Sequence, residues 1–426
     1  MKKILGTYDI IGEYAKEFRL LEKFLYGISE MYNFEYIKVP IIEETSLYHR
    51  DKNNTDDTVL KKTYTFNDLS GKSITLRPEC NSGILRSVIE NKLYTQLPRK
   101  FYYYGDVFRY DRPQKDRYRE FTQFGYELIG SNSPIADAEM LSLAYNIYNL
   151  LGVNDITLRL NSLGNPDDIN KYRETLVSYF GKYINSMCED CKKRFKNNPL
   201  RILDCKDEKD KDVIKNAPSI LDCMSIEKLK RFKLVLQYLD VRNIPYTVDG
   251  KFVRGIDYQN DTIFEILNND KVLCSQNNLC GGGRYDNLYK YLANKNIAAF
   301  GFDFGLERLI TSIKSQNPGF FQKNSIDVFV VNIGNDMVYC FELVDYLRQN
   351  GIVVEYDWSN NSFKSQLKYS DRFHPKYTIF VGEDEINNNT LTIRNNSTQE
   401  KITIEKKNIF DFFEKETGME RRLVKW

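Results

Sequence analysis

Apolar residues recur at three- and four-residue steps from Ala15 to Tyr32, at Phe18, Leu21, Leu25, Ile28 and Tyr32. That spacing lines one face of a helix. The chain then runs FEYIKVPIIEE, an apolar strand broken by Pro40, which cannot donate a ladder hydrogen bond and so marks an edge or a bend. Thr63–Asn67 and Ser73–Leu76, either side of Ser70-Gly71, read as a hairpin. A helix is expected near Asn81, with Asn81 or Ser82 as its cap. Phe101–Tyr110 and Phe121–Leu128 are aromatic and β-branched, as strands prefer, and the charged loop DRPQKDRYRE joins them. Pro134–Leu151 reads as a helix and Ile156–Leu160 as a strand.

From Pro166 to about Met224 the pattern turns helical and strongly charged, as an inserted subdomain would be. Strands at Tyr246–Val248 and Thr262–Leu267 flank FVRGIDYQN, and Phe300–Ile310 is a glycine-bearing strand running into a helix. Around Pro318–Ser325 the pattern resets. Strands at Asp327–Ile333, Val353–Tyr356 and Tyr377–Val381 alternate with helices at Met337–Asn350 and Ser362–Asp371. That alternation predicts a mixed or parallel sheet with helices on its faces. A hairpin within Thr390–Ile404 and a helix at Ile409–Phe413 complete it. Two domains are expected, residues 1–320 with an insertion at about 166–224, and residues 325–426, in an α/β (α+β) fold class.

Charge narrows the function. Among 426 residues, Lys+Arg is 61 and Asp+Glu is 59, a net charge of +2, so any nucleic-acid contact must come from local patches. No run of eighteen apolar residues occurs, so no membrane span is expected. MKKILGTYDIIGEYAKEF lacks the long apolar run of a secretion signal. Eight cysteines without such a signal suit a reducing cytoplasm better than a disulfide framework. With two histidines, His49 and His374, a His-rich metal site or a Ser-His-Asp hydrolase is not indicated. Cys188-x-x-Cys191, followed by Cys205 and Cys223, forms a zinc candidate, against reduced buried thiols as the default.

Candidate chemistry gathers around the arginines. The hairpin sets Arg109 on its first strand and Arg112, Lys115, Arg117 and Arg119 in its loop, cations suited to polyphosphate and a nucleic-acid backbone, although most charged loops are only solvated. Arg254 reads as inside an apolar strand, where an unpaired cation is costly, so it should face a polar cavity. Gly281–Gly283 let a backbone approach a ligand, and Tyr285 could close over it. Arg308, in a first helical turn, opposes the helix dipole unless an anion binds there.

These residues match a family. The chain resembles class II aminoacyl-tRNA synthetases and, among them, the histidyl-tRNA synthetase family, from GTYDI to the last domain. KVPII, FRYDRPQKDRYREFTQ and FGFDFGLERL resemble the three class motifs. FVRGIDYQND and GGGRYDNL resemble the family's two histidine signatures, and LRPECN its TRPEGT segment. The resemblance implies a catalytic domain built on an antiparallel sheet with flanking helices, a helical insertion and a C-terminal anticodon-binding α/β domain. It implies ATP and Mg²⁺, histidine and tRNA as partners, a homodimer, and a cytoplasmic location.

Site residues follow from the same resemblance. Arg109, Arg254 and Arg308 would be catalytic. ATP would be held by Arg109, Asp111, Arg117, Arg119 and Arg308. Glu79, Asn81, Gln123, Glu127, Arg254, Tyr258, Gln259 and Tyr285 would bind the amino acid, and Gln114 the tRNA acceptor end. Three positions depart from the pattern: Asn81 for a threonine, Asp111 for a glutamate and Gln259 for the second tyrosine of RG(I/L)DYY. They keep open a paralogue with another specificity, or a non-catalytic regulatory relative.

Overall fold

The computed structural model describes residues 1–48, 62–113, 117–254, 258–273, 277–321, 326–334, 336–359 and 361–417. Chain contacts divide it into Met1–Phe320 and Phe321–Trp426. His49 and Gln114 lie outside the described residues.

In the first unit the helix Gly12–Met31 leads to β1 (Glu35–Tyr36). β2 (Ile42–Glu44), β3 (Tyr64–Asn67) and β4 (Ser73–Leu76) form a small antiparallel sheet, ordered β2-β4-β3. The helix Asn81–Glu90 follows, with Cys80 at its cap position in place of the predicted Asn81 or Ser82. The large sheet is built from β5 (Arg99–Phe108), β6 (Glu120–Ile129), β7 (Ile156–Ser162), β8 (Thr247–Val248), β9 (Asn260–Asn268), β10 (Asn278–Arg284) and β11 (Ala299–Gly305). Its order is β1-β5-β6-β11-β10-β9-β7-β8. The inner neighbours pair antiparallel, and only the short edge strands β1 and β8 pair parallel. Between β7 and β8 the chain carries helical segments from Pro166 to Val241.

Alternation along β6 and β11 makes the two faces of this sheet different. Phe124 and Tyr126 on β6, with Phe302 and Phe304 on β11, point to one side. There they stack on one another at ring distances of 5.2–6.0 Å, over the helices Gly12–Met31 and Pro134–Leu150. Such ring pairs add about 0.5–1.5 kcal/mol each beyond their buried area, so this face is rigid. The opposite side carries Gln123, Gly125 and Glu127, register partners of Gly305, Asp303 and Gly301. Small and polar residues there leave a hollow over the sheet instead of a core.

The strand end at Arg284 is pinned separately. Its side chain is 0% exposed and bonds Asp137 at 2.7 Å, Asp286 at 3.1 Å and the Ser131 carbonyl at 2.7 Å. Arg231 shares Asp137 at 2.8 Å. Each buried charge here has a partner, as burial demands.

The second unit holds β12 (Val328–Asn332), β13 (Val354–Tyr356), β14 (Tyr377–Val381), β15 (Thr390–Asn395) and β16 (Lys401–Glu405), in the order β13-β12-β14-β15-β16. The first three strands are parallel and the last two add antiparallel. A short helix, Glu383–Asn388, was not foreseen, because six residues give too little periodicity to read. Among the described residues, no helix is long and apolar enough to cross a membrane.

Candidate active site

Two cavities open over the polar face of the large sheet, and both reach Arg109, Asn278 and Arg308. The inner one, about 320 Å³, is lined by residues that include Glu79, Asn81, Gln123, Arg254, Tyr258, Gln259, Tyr285 and Asp303. The outer one, about 770 Å³, is bounded by Lys62, Asp111, Arg117, Arg159 and the stretch Leu203–Lys206.

At the floor of the inner cavity, Gly301 lies directly against Glu127. A methyl group on Gly301 would collide with the Glu127 carboxylate, so only glycine leaves room for it. Glu127 is fully buried and accepts a very short hydrogen bond from the Tyr285 hydroxyl, while its Oε1 has no partner. Burial drives its pKa well above the usual carboxylate range; Tyr285 opposes the shift, and Asp303 and Glu79 add to it. Tyr285 therefore belongs to the floor and is not a cover. Gln259, 5% exposed, also has a buried, unpartnered Oε1, as does Gln123. Three buried acceptor atoms without partners are costly in an isolated protein. Donors from a ligand would satisfy them.

Gln123 gives its amide N–H to Asp303 at 2.6 Å. Asp303 faces the cavity yet lies deep below the surface. Burial pushes its pKa up to about 6, against the pull of Arg109 and Arg254 and with a push from Glu79. The sequence reading did not name Asp303. The signal was present: in FGFDFG, alternation puts Gly301, Asp303 and Gly305 on the face opposite three phenylalanines. Glu79 lines the cavity and also caps the following helix, accepting from the Ser82 amide at 3.2 Å. Tyr103 donates to Asn81 at 3.3 Å.

The cations take three arrangements. Arg254 leaves no space for a side chain at Gly281: a Cβ there would sit 2.6 Å from its guanidinium. Among the described residues it donates to the carbonyls of Phe264 and Gly282, at 3.3 and 3.2 Å. It lies in a loop and not in the apolar strand expected. Arg109 is held by the Pro78 carbonyl at 2.8 Å and packs over Phe121, 5.2 Å from the ring centre. Phe121, also absent from the sequence reading, gives a flat apolar wall beside that cation. Arg308 donates to the Asn278 carbonyl at 2.9 Å. Neither Arg109 nor Arg254 has a carboxylate ion pair among the described residues. Fixed guanidinium groups aimed into a cavity suit phosphate.

Arg117 and Lys62 instead grip Asp111, at 3.0 and 2.5 Å. Burial raises the Asp111 pKa, but these two cations outweigh it and hold the carboxyl below its ordinary range. Arg119 does not reach either cavity. It stacks 4.0 Å over Tyr110 and bonds the Asp111 carbonyl at 3.2 Å, so it shapes the loop instead of the pocket. The zinc candidate also changes. Cys188, Cys191 and Cys205 do meet, but their fourth neighbour is Asp210. Cys223 sits apart, 3.6 Å from the Thr175 hydroxyl.

The family described as histidyl-tRNA synthetase matches residues 6–309, and the anticodon-binding-domain family matches residues 327–416. A histidine–tRNA ligase of Staphylococcus haemolyticus is 38% identical over 417 residues, covering 97% of this chain and 99% of that one. The Staphylococcus aureus counterpart is 39% identical over 414 residues, covering 96% and 99%. The crystal structure of apo S. aureus histidyl-tRNA synthetase superposes with a TM-score of 0.81 at 34% identity, over 97% of this chain and 99% of that one. The chain belongs to the histidyl-tRNA synthetase family.

Proposed function

We infer that the chain is a histidine–tRNA ligase, which joins histidine to ATP as an adenylate and passes the acyl group to tRNA. The observation that carries the reading is the pairing, in one cavity system, of an acidic acceptor-lined floor with Arg109 and Arg254, which carry no carboxylate ion pair among the described residues. The substrate ammonium would lie among Glu79, Gln123 and Asp303, beside Asn81. Its imidazole would reach Glu127, Gln259 and Tyr285, with Tyr258 at the side. The carboxylate would then lie beside Arg109 and Arg254.

That placement serves the first step directly. A carboxylate oxygen attacks the α-phosphorus in line and pyrophosphate leaves, so charge builds on the phosphate oxygens. Arg254 and Arg109 stand where that charge forms, and Arg308 and Arg117 lead outward along the triphosphate. Phe121 offers a stacking face for the adenine. Asp111 keeps Arg117 and Lys62 at the rim. Gln114 keeps its family-implied role at the tRNA end. Magnesium fits as an ion that arrives with the nucleotide. The outer cavity offers Asp111, Asp204 and Glu265 as carboxylates, but Asp111 and Glu265 are paired to cations and burial holds Asp204 near a pKa of about 6. The phosphates would supply most of its oxygen ligands and neutralising charge.

In this reading, residues 1–320 catalyse and residues 325–426 read the tRNA, in the cytoplasm. A dimer is part of it: the stretch from Met31 to Ile42 exposes Met31, Tyr36, Ile41 and Ile42 around Pro40. ATP–pyrophosphate exchange with each of the twenty amino acids tests the assignment. Exchange with histidine is expected. Exchange with a different amino acid would establish the altered-specificity paralogue, and a folded protein with no exchange would refute the enzymatic reading.

A further inference from the structure

The helical insertion holds a cluster that the reaction does not use. Cys188, Cys191, Cys205 and Asp210 bring one donor atom each to within 4.8 Å of all the others. Cys188 precedes the helix Glu189–Asn197 and Cys191 lies in its first turn. Cys205 follows the 3₁₀ segment Pro199–Asp204, and Asp210 ends the short turn Glu208–Asp210.

We propose that these four residues form a structural Zn²⁺ site that fixes the insertion and, through Cys205, one wall of the outer cavity. The spacing matches what the ion requires. Tetrahedral zinc with sulfur at ~2.3 Å and carboxylate oxygen at ~2.0 Å sets sulfur pairs about 3.8 Å apart and sulfur–oxygen pairs about 3.5 Å apart. Cys188 Sγ and Cys205 Sγ are 3.7 Å apart. Cys205 Sγ and Asp210 Oδ2 are 3.5 Å apart.

The surroundings support ligand roles. The Cys191 amide donates to Cys188 Sγ at 3.3 Å, and the Asp207 amide donates to Cys205 Sγ at 3.4 Å. Backbone donors on these two sulfurs fix their positions within the cluster. The Asp210 carboxylate is oriented in turn by the Cys188 amide, at 3.3 and 3.2 Å. Three soft donors and one carboxylate favour zinc over a hard cation, and four protein ligands leave no open position for catalysis.

The site also has a use. Ile202 and Cys191 belong to a core that includes Tyr172, Leu176 and Phe180, and the ligand-bearing segments around it are short turns with few ladder bonds of their own. Leu203, Asp204, Cys205 and Lys206 line the outer cavity opposite Arg109 and Arg308. An ion at Cys205 would hold that wall in place.

Metal analysis of the full chain, purified in reductant without chelator and then offered Zn²⁺ or Co²⁺, tests this. One zinc per chain is expected. The Co²⁺ form should show thiolate-to-cobalt charge transfer and tetrahedral d–d bands. Cys205→Ser and Cys191→Ser should lose the metal, while Cys223→Ser keeps it. To separate ligand loss from misfolding, the unmutated protein is stripped by chelator and reloaded. Its melting temperature should fall and recover with Zn²⁺ but not with Mg²⁺. A folded chain that takes up neither ion overturns the proposal. So does metal retained by Cys205→Ser, or metal lost by Cys223→Ser.

Discussion

The two cavities meet at the same three residues but manage charge in opposite ways. The outer one keeps its ions in mutual pairs: Lys62 and Arg117 on Asp111, Arg159 on Asp249 and Glu265. Those pairs are partly solvated and exchangeable, so a polyanion can enter by replacing a carboxylate on these cations with a phosphate at small net cost. The inner cavity keeps buried acceptor atoms without partners at Glu127, Gln123 and Gln259 on one side, and on the other Arg254, held by backbone carbonyls with no carboxylate ion pair among the described residues. Such groups are expensive before a ligand arrives and strongly selective when one does, because a wrong ligand leaves them unsatisfied. The outer cavity is built for tolerance of a charged chain, and the inner one for discrimination of a small molecule.

The largest effect should come from the cation at their junction. Arg254→Ala should lower exchange on the order of 10²–10³-fold or more, since it removes charge from the place where charge develops. Its unfolding midpoint should barely move. Arg284→Ala, at the far end of β10, should do the reverse and cost up to roughly 3–5 kcal/mol of stability, by leaving Asp137 to Arg231 and taking the buried partner from Asp286 and the Ser131 carbonyl. Near-normal exchange by Arg254→Ala would remove that residue from the mechanism.

A smaller and more local effect is expected at the floor. Gly301→Ala should displace the Glu127 carboxylate and raise the KM for the amino acid about 10²-fold, the scale of a misplaced contact. The KM for ATP should hardly change. A parallel rise in both would mean that the two cavities are not separate in function.

The smallest effect concerns pH. Because burial raises the Asp303 pKa to about 6, the folded state holds this proton more tightly than the unfolded chain. Its stabilising contribution is full below about pH 4 and is lost as pH rises through about 6. Asp303→Asn carries no such proton. Its melting temperature should therefore gain on the parent protein between pH 4 and pH 7 and run parallel above. A constant gap across that range would mean that Asp303 titrates normally.

How far the sequence reached differs between the two units and within the site. The strands and long helices were legible because their periods are long and their apolar faces unbroken, as in Phe18 to Ile28 or Phe300 to Phe304. The short helix Glu383–Asn388 was not, because propensity has little to act on over six residues. In the site, Arg109, Arg254 and Arg308 were found through motif resemblance, and the structure places them around one cavity system. Asp303 and Phe121 were missed because each sits one residue from a more conspicuous neighbour, and only the pleat decides which of the two faces inward. Arg119 was assigned to the nucleotide through the family resemblance, and in the structure it stacks on Tyr110 and bonds the Asp111 carbonyl. The cysteine set went wrong in one member because spacing cannot reveal that Asp210, on a separate turn, folds back onto the thiols.

The stacked rings beneath the sheet carry a consequence for how such a protein diverges. Phe124, Phe302 and Phe304 lock the backbone that presents Gly301 and Asp303, so exchanges on these strands disturb two faces at once. Position 259 lies just outside β9 and bears no such obligation. Evolutionary drift in what the pocket accepts should therefore accumulate in the loop around Tyr258 and Gln259 while the strands stay fixed. Gln259, one of the three departures from the family pattern, lies in that stretch, just before β9.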